Sequence, residues 1–453
     1  MTEDARARTA LRASAPAGPA DDRQVSAADF ADRFRADGAR LVRVMHADLY
    51  GKARSKQFPI RDVASLLDGV GYCKASLVES LEGVPLEGDG FPADLGYPDV
   101  IAVPDPDSVR TIPWEPDVLW LLADLVEDGK RSDLCCRGAL RGITERISGA
   151  GYQAISAPEP EFYLLVPDPQ GGRHIPYSSQ TGMAYTAGLR ADPLGVLGRI
   201  QRGMIDLGIQ VSAAHREFSP GQFEVNMRHA PALAAADYGF LFKEAVKELA
   251  VHEGMMATFM PMPFAEHAGS SCHVHVSLWD DNGNCFDDGA GGITDLCRSF
   301  MAGIAEHAPA LTAFASPTVN SYKRTAAGGL APTRVRVSGD DRESYLRVPG
   351  ERGAATRVEV RGGDASANPY LLTGAILVAG LDGIERSLQP QDEPRELPTR
   401  LGLALDELER SDVMKEGFGE ELIRVFVALK RGECDRYASI VTDWEWEEYG
   451  FHA

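Results

Sequence analysis

Four short stretches of the sequence carry ionisable side chains at every second position, with apolar residues between them: 158–163, 221–226, 273–278 and 357–361. Alternate side chains of a β-strand point to opposite faces of the sheet, so each stretch would have an apolar back and an ionisable front. The residues that share these fronts are Glu159, Glu161, Gln222, Glu224, His273, His275, Ser277, Arg357, Glu359 and Arg361. Together they could line a single cup-shaped site.

The fronts would bring four carboxylates and two imidazoles onto one face. There they would repel each other or lose hydration unless a cation lies among them. Carboxylate and imidazole ligands without a thiolate favour hard divalent ions, Mg²⁺ or Mn²⁺ rather than Zn²⁺. Two such ions would neutralise charge on phosphate oxygens during phosphoryl transfer. For any single glutamate, a solvated position on the protein surface is the commoner explanation. That explanation is weaker here because the same pattern of ionisable fronts occurs in four stretches.

Several arginines follow that could hold phosphate or carboxylate groups through paired hydrogen bonds. They are Arg324, Arg342, Arg347, Arg357 and Arg361. The chain has no Gly-x-x-x-x-Gly-Lys-Ser/Thr loop, so a P-loop kinase is not expected. A Gly-x-Ser-x-Gly nucleophile elbow is also absent from the sequence. The residue types alone therefore predict a metal-dependent enzyme that acts on phosphate groups.

The composition narrows the class of partner and compartment. The 453 residues include 46 Lys and Arg against 67 Asp and Glu, a formal net charge of −21. This charge argues against nucleic acid or an anionic membrane as a partner. The seven cysteines form no CxxC pair, and the N-terminus lacks the apolar segment of a secretory signal. We therefore expect a cytoplasmic protein in a reducing compartment.

The chain is long enough, with 44% hydrophobic residues, to bury a large core. Residues 1–25, rich in Ala, Arg, Asp and Pro, predict a disordered leader. A loop-rich zone near residues 115–135 marks the expected boundary between an N-terminal domain, 26–125, and a larger domain, 126–453. Helical periodicity is expected within this larger domain at 137–150 and 293–311.

Six motifs, in order along the chain, resemble those of the glutamine synthetase family. They begin at Asp48, Pro158, His215, Gly269, Asn320 and Ala367; any one would be weak, but the ordered set is specific. The resemblance implies an α+β fold with a small β-grasp-like N-terminal domain and a large glutamine-synthetase-type catalytic domain. It also implies a homo-oligomer of stacked rings, a dodecamer, with each active site between neighbouring subunits.

The resemblance also assigns roles to individual residues. The ligands of one metal ion would be Glu161, Glu217 and Glu224, and those of the other Glu159, His273 and Glu359. ATP would be faced by His275, Ser277, Arg347 and Arg357, glutamate by Gly269 and Arg324, and the transferring phosphate by Arg342 and Arg361. Asp48 would reach the amine site of the adjoining subunit, although Asp-x-x-Gly-Lys taken alone is a turn signature. The implied reaction phosphorylates the γ-carboxylate of glutamate with ATP, after which an amine displaces the phosphate.

One departure from the family pattern bears on the choice of amine. Ammonium-using members carry a flap glutamate in a Tyr-Glu-Ala-Pro context, whereas Leu330 stands at that position here, within 328–332. A carboxylate can attract ammonium and accept a proton, and leucine can do neither. Ala268, where the family has Asn, and the stretch 264–269 resemble the γ-glutamyl-amine ligases of this family.

We therefore expect a ligase that joins glutamate to an organic amine, which the sequence does not identify. One alternative is a glutamine synthetase that uses ammonium with an altered flap. The other is a non-catalytic scaffold or sensor, against which the presence of all six ligand candidates argues.

Overall fold

The computed structural model describes residues 38–452 except residues 89, 93, 181 and 392. The leader predicted at 1–25 lies outside the described residues. Within them, two large sheets and a set of helices form a mixed α+β architecture, as the sequence predicts. The family-specific β-grasp description of the N-terminal part stays a prediction.

The N-terminal sheet has seven strands in the order β2-β1-β6-β4-β3, with β5 and β7 also paired to β6. The strands are β1 Leu41–Ala47, β2 Ala53–Pro59, β3 Val70–Cys73, β4 Asp99–Pro104, β5 Arg110–Ile112, β6 Glu115–Glu127 and β7 Lys130–Arg131. Strand β6 runs parallel to β1, and its centre is a continuous buried apolar run because both faces are covered. The expected domain boundary at 125/126 falls inside β6, and the domain division itself stays a prediction.

The second sheet has eleven strands, seven of them in the order β10-β11-β8-β14-β19-β18-β17, with β9, β12 and β13 also paired to β8 and β15 to β14. The strands are β8 Gln153–Val166, β9 Ile175–Pro176, β10 Val211–Arg216, β11 Gln222–Met227, β12 Ala230–Pro231, β13 Met256–Thr258, β14 Cys272–Asp280, β15 Gly283–Asn284, β17 Val337–Ser338, β18 Leu346–Arg347 and β19 Val358–Val360. A separate two-stranded sheet joins β16 Arg334–Val335 to β20 Arg395–Glu396. The four stretches with ionisable fronts lie on β8, β11, β14 and β19, all in this larger sheet.

The helices pack mainly around the larger sheet. They are α1 Val63–Leu66, α2 Cys136–Gly149, α3 Val196–Asp206, α4 Ala232–His252, α5 Asp295–Ala315, α6 Ser321–Ala326, α7 Pro369–Glu385, α8 Leu401–Arg410, α9 Asp412–Phe418, α10 Glu420–Ala438 and α11 Asp443–Tyr449. The helices expected at 137–150 and 293–311 correspond to α2 and α5. Helix α7 begins at its Asn-Pro pair: Asn368 caps the backbone amide of Tyr370 at 3.0 Å, and Pro369 occupies the first turn.

One buried arginine joins the two parts of the chain. Arg137 of α2 contacts Asp105 and Asp124 of the N-terminal region at 2.7 and 3.1 Å, and Asp237 of α4 at 2.9 Å. A buried guanidinium with several carboxylate partners is costly to leave unpaired. This contact therefore holds the N-terminal sheet in register with the helices behind the larger sheet. In the described part of the chain, no helix combines the length and apolar character required to cross a membrane.

Candidate active site

Strand pairing brings the ionisable fronts together on one face of the larger sheet. Directly opposed residues form three rows across it: His215–Glu224–Glu161, Glu159–His273 and His275–Glu359–Arg347. Opposed residues in adjacent strands bring their Cβ atoms to within about 5 Å. The pairing therefore turns four separated stretches, together with β10 and β18, into one cluster.

Among the described residues, three sets of side chains each bring three ligand atoms within 4.8 Å of one another. The sets are Glu159, Glu224 and His273; Glu159, His275 and Glu359; and His215, Glu217 and Glu224. Glu159 and Glu224 each belong to two sets, so the three sets form one continuous centre. Oxygen-rich, thiolate-free sets of this kind suit Mg²⁺ or Mn²⁺.

The electrostatics of Glu224 fit a bound cation. Burial, together with the neighbouring carboxylates Glu159, Glu161 and Glu217, raises the pKa of Glu224 to about 9. Burial also raises the pKa of Glu161. Like charges held this close favour protonation unless a positive charge is supplied. The site thus has the donor set and the unmet charge that a divalent ion would satisfy.

Glu161, whose role as a metal ligand stays a prediction, is held by hydrogen bonds from its neighbours. Its carboxylate accepts hydrogen bonds from the Ser271 amide at 2.8 Å and hydroxyl, and from Gln222 Nε2 at 3.2 Å. It belongs to none of the three sets, and His215 joins Glu217 and Glu224 instead, with Nε2 2.8 Å from Glu217 Oε1. Sequence reasoning missed His215 as a ligand candidate, although it lies near the end of β10 and only two residues before Glu217, which follows the strand.

At the other end of the centre, Glu359 is already compensated by arginines. Arg347 and Arg361 each donate to it at 2.6 Å, and His273 Nδ1 lies 3.5 Å away. Although burial alone would raise the pKa of Glu359, His273, His275 and Arg361 lower it overall. This half of the centre therefore has cationic groups of its own.

The residues predicted to face ATP lie around this same end. His275 Nε2 is 3.0 Å from Glu159 Oε1, while its Nδ1 accepts from Arg357 Nε at 3.1 Å. His275 therefore belongs to one of the three ligand sets and also contacts Arg357. Ser277 lies two residues further along β14, where its hydroxyl accepts a hydrogen bond from Trp279 Nε1 at 3.0 Å.

A loop between β9 and α3 crosses the His215 end of the centre. Tyr185 of this loop lies over the His215 ring, with centroids 4.7 Å apart. Its hydroxyl accepts a hydrogen bond from Arg342 at 3.5 Å. Arg342, which is predicted to contact the transferring phosphate, therefore lies at the His215 end of the centre. Tyr185 was not anticipated from the sequence, because an isolated aromatic residue in a loop carries no periodic signal.

The predicted glutamate contacts, Gly269 and Arg324, touch each other. A Cβ atom on Gly269 would lie 2.4 Å from Arg324 Cγ and 2.7 Å from the Pro261 carbonyl oxygen, so only glycine fits. Arg324 is buried and donates to the Gly363 carbonyl at 2.9 Å. Leu330 follows the end of α6 and is 46% exposed.

Asp48 lies at the β1–β2 turn, outside the sheet that carries the centre. Its buried carboxylate accepts the backbone amides of Tyr50 and Lys52 at 3.0 and 2.9 Å and pairs with Arg54 at 2.8 Å. Within its own chain, Asp48 therefore stabilises the turn that its sequence context predicts.

Comparisons with known proteins agree on one family. A family model described as the glutamine synthetase catalytic domain matches residues 133–449. The glutamine synthetase of Mycolicibacterium smegmatis is 34% identical over 442 residues, covering 87% of this chain and 99% of the relative. That of Methanocaldococcus jannaschii is 32% identical over 445 residues, covering 91% and 95%.

Solved structures of related proteins are also similar to this chain over most of its length. Apo GmaS without ligand has a TM-score of 0.84 and 34% identity, covering 93% of this chain and 99% of that one. A GmaS complex with ADP has a TM-score of 0.82 and 33% identity, with the same coverage. A novel glutamine synthase homologue has a TM-score of 0.80 and 27% identity over 91% of this chain and 98% of that one.

Proposed function

Because this chain belongs to the glutamine synthetase family, we propose that it is the ligase that joins the γ-carboxylate of L-glutamate to an organic amine. Members of the family are ATP-dependent carbon–nitrogen ligases. The observation that carries the choice of amine is Leu330, an exposed apolar residue where ammonium-using members place a carboxylate. It offers a neutral wall beside the amine rather than an attraction for ammonium.

In this proposal the chain binds Mg²⁺ or Mn²⁺ through the carboxylates and imidazoles of the centre. The predicted ligands are Glu159, Glu161, Glu217, Glu224, His273 and Glu359, with His215 as an addition from the geometry. Bound metal supplies charge neutralisation for the phosphate oxygens of ATP. His275, Ser277, Arg347 and Arg357 face the nucleotide, and the contacts of Arg347 with Glu359 and of Arg357 with His275 support this assignment for three of the four.

Two substitution steps would follow on this scaffold. Gly269 and Arg324 hold glutamate so that a γ-carboxylate oxygen attacks the γ-phosphorus of ATP and ADP leaves. Arg342 and Arg361 neutralise the phosphoryl group during this transfer. The amine nitrogen, oriented by Asp48 of the adjoining subunit, then attacks the γ-carbonyl carbon; phosphate leaves with the bridging oxygen, and the nitrogen loses a proton.

A second candidate is a glutamine synthetase that uses ammonium. It is favoured by the curated relatives, which carry that name at 32–34% identity. It would require a carboxylate other than the flap glutamate to attract ammonium and accept its proton. The expected cytoplasmic location belongs to both candidates, and the seven cysteines are all unpaired, as in a reducing compartment.

The deciding experiment measures phosphate release from ATP with Mg²⁺ and L-glutamate across ammonium, alkylamines, ethanolamine, polyamines and aromatic amines. Each product is identified by mass spectrometry. We expect turnover with one class of organic amine and at least ~10-fold lower kcat/KM with ammonium, a difference of about 1.4 kcal/mol in transition-state binding. Turnover chiefly with ammonium would establish the second candidate instead.

The role of Leu330 is tested by Leu330→Glu, which returns a carboxylate to the flap. We expect the ratio of kcat/KM for ammonium to that for the organic amine to rise at least ~10-fold. Leu403→Glu is the matched control, because Leu403 is also partly exposed but lies on α8. An unchanged ratio in Leu330→Glu would show that this position does not select the amine.

A further inference from the structure

A cavity of about 100 Å³ lies between the β1–β2 turn and the helices α5, α7 and α10. Most of its wall is apolar, formed by Leu81, Phe314, Leu371 and Phe426 among others. The residues that line it include none of the ligand candidates of the metal centre. The cavity is therefore separate from the metal centre, and it opens to solvent beside Leu81.

Polar residues also line this space, namely Tyr50, Lys52, Thr318, Ser366, Asn368 and Lys430. Two of them, Lys430 and Tyr50, have buried polar atoms and contact each other through their side chains. Lys430 is 2% exposed, with Nζ 3.1 Å from Glu433 Oε2 and 4.3 Å from the centroid of the Tyr50 ring. The other oxygen of Glu433 accepts the Val319 amide at 3.0 Å, so this carboxylate is shared. The Tyr50 hydroxyl is buried, and the described residues offer it no hydrogen-bond partner. A buried hydroxyl without a partner costs free energy, and the adjacent cavity is where a partner could bind.

The size and lining of the cavity select the ligand. About 100 Å³ holds roughly three water molecules at ~30 Å³ each, or one organic molecule of a few heavy atoms. An ammonium group with spare donors, beside an unpartnered hydroxyl, favours an anionic acceptor. Inorganic phosphate would leave oxygens unsatisfied against the apolar wall. We propose that this cavity binds a short-chain monocarboxylate, with its carboxylate between Lys430 and Tyr50 and its alkyl group among the apolar side chains.

The cavity is coupled by hydrogen bonds to Asp48. The amides of Tyr50 and Lys52, which both line the cavity, donate to Asp48 Oδ1, and Asn368 donates to the Asp48 carbonyl at 3.0 Å. A ligand against Tyr50 therefore restrains the turn that carries Asp48. A kinetic effect follows, and it rests on the proposed role of Asp48 at the amine site. The bound acid changes the KM for the amine and leaves the KM for glutamate unchanged.

The binding test is thermal unfolding of the full chain with sodium propionate or butyrate. Sodium chloride, inorganic phosphate and 1-propanol serve as comparisons at matched concentration and ionic strength. We expect a rise in Tm of about 3 °C with the two acids and less than about 1 °C with the comparisons. No shift with the acids, or an equal shift with 1-propanol or phosphate, would overturn the proposal.

Variants locate the binding. Leu81→Phe enlarges a side chain at the half-exposed mouth of the cavity and should fold, and Lys430→Met removes the ammonium. We expect both to weaken the apparent Kd for propionate at least tenfold. Lys247→Met, which removes an ion-paired lysine from α4, should leave the Kd unchanged. If Lys430→Met does not fold, Leu81→Phe decides, and wild-type binding in that variant overturns the site.

The outcome is separable from that of the proposed function. Propionate binding in a protein that turns over only ammonium would refute the proposed amine and leave this cavity site standing. Turnover of an organic amine without any acid-dependent Tm shift would refute the cavity site alone.

Discussion

At the residue scale, the two ends of the metal centre differ in how their carboxylates are compensated. Glu359 has two arginines at 2.6 Å. Glu224 has Asn226 at 2.8 Å and His215 at 3.5 Å, and its burial, together with three carboxylates near it, raises its pKa to about 9. Without metal, Glu224 therefore takes up a proton on folding at neutral pH. The His215 end of the centre has the greater need for an added cation.

The substitution Glu224→Gln tests this difference. Because the folded pKa of Glu224 is raised, the folded state binds more protons than the unfolded state between about pH 4.5 and 9. Metal-free stability should thus fall as pH rises through that window. At pH 7 the amide should remove a cost of roughly 3 kcal/mol, about 2.5 pKa units at 1.36 kcal/mol each. We expect Glu224→Gln to raise metal-free stability, to lose most of the stabilisation by Mg²⁺ and to lower ligase activity at least ~100-fold.

The measurement is denaturant unfolding with EDTA and with Mg²⁺ at pH 5 and pH 7, alongside the activity assay. Glu87→Gln, at an exposed position, is the control and should behave as wild type. A metal-free Glu224→Gln protein less stable than wild type at pH 7 would contradict the assigned electrostatics.

His46 is a second buried titratable residue, away from the metal centre in the N-terminal sheet. Burial lowers its pKa to about 4, and its ring packs edge-on against Tyr72 with centroids 4.7 Å apart. Because the folded pKa is depressed, the unfolded state binds the extra proton between pH 6.5 and 4. The contribution of neutral His46 to the free energy of unfolding is at its maximum above pH 6.5, and it is lost as pH falls towards 4. At full size it is about 3 kcal/mol, from 2.5 pKa units.

His46→Phe keeps a ring against Tyr72 and removes the titrating group. Between pH 7 and 4.5 we expect its free energy of unfolding to fall by roughly 2–3 kcal/mol less than that of wild type. His229→Gln, at an exposed histidine, should follow the wild-type curve. Denaturant titrations across this pH range provide the measurement, and parallel curves for His46→Phe and wild type would disprove the role.

At the element scale, the helices behind the sheet depend on one close glycine contact. A Cβ atom on Gly303 of α5 would lie 2.1 Å from the Ala379 carbonyl oxygen and 2.7 Å from Gly383 Cα of α7. These are backbone atoms that no rotamer change can move. The two helices can therefore approach this closely only because glycines meet at the crossing.

Gly303→Ala should separate the helices and destabilise the protein by about 1–3 kcal/mol, since added volume in a packed core forces backbone shifts. Gly402→Ala on α8 is the matched control, because among the described residues its added Cβ would meet no atom of another element within 4 Å. That control should stabilise by about 0.5–1 kcal/mol through helix propensity. Urea unfolding of both variants checks the pair; equal effects would mean that the crossing tolerates a methyl group.

At the scale of the whole molecule, the assembly into rings stays a prediction, and one exposed apolar surface fits an oligomer. The C-terminal helix α11 and the residues after it expose Trp444, Trp446, Tyr449 and Phe451. Clusters of exposed large apolar side chains mark protein–protein contacts. Asp48, proposed to act in the amine site, lies in the N-terminal region, which the proposed assembly would bring to the centre of a neighbouring subunit.

A subunit-mixing experiment tests the shared site. Asp48→Asn keeps an oxygen for the Tyr50 and Lys52 amides, and Glu224→Gln alters the metal centre. Each variant alone should be nearly inactive. Co-expressed at equal levels they should assemble at random, and about a quarter of the sites would then combine an intact Asp48 with an intact centre. Activity near that fraction of wild type in the purified mixed oligomer supports sites between subunits, whereas no recovery would place each site within one chain.

The local features of the site could be predicted from the sequence. The period-two alternation placed Glu159, Glu224, His273 and Glu359 on strand fronts, because successive side chains of any strand point to opposite faces. The ordered motifs identified the glutamine synthetase family, which the comparisons confirm. The absence of a carboxylate at Leu330 is likewise a property of the chain itself.

Only the tertiary structure decided which fronts meet. Alternation acts between adjacent residues, whereas the strand order β10-β11-β8-β14-β19-β18 joins segments far apart in the chain. That order places His215 opposite Glu224 and Arg347 opposite Glu359, whereas Arg361, the other arginine on Glu359, is only two residues away in the sequence. Hydrogen bonds from Ser271 and Gln222 to Glu161 depend on the same long-range pairing. Side-chain alternation is set by local backbone geometry, but partners and charge compensation are set by folding, so no local pattern in the sequence could predict them.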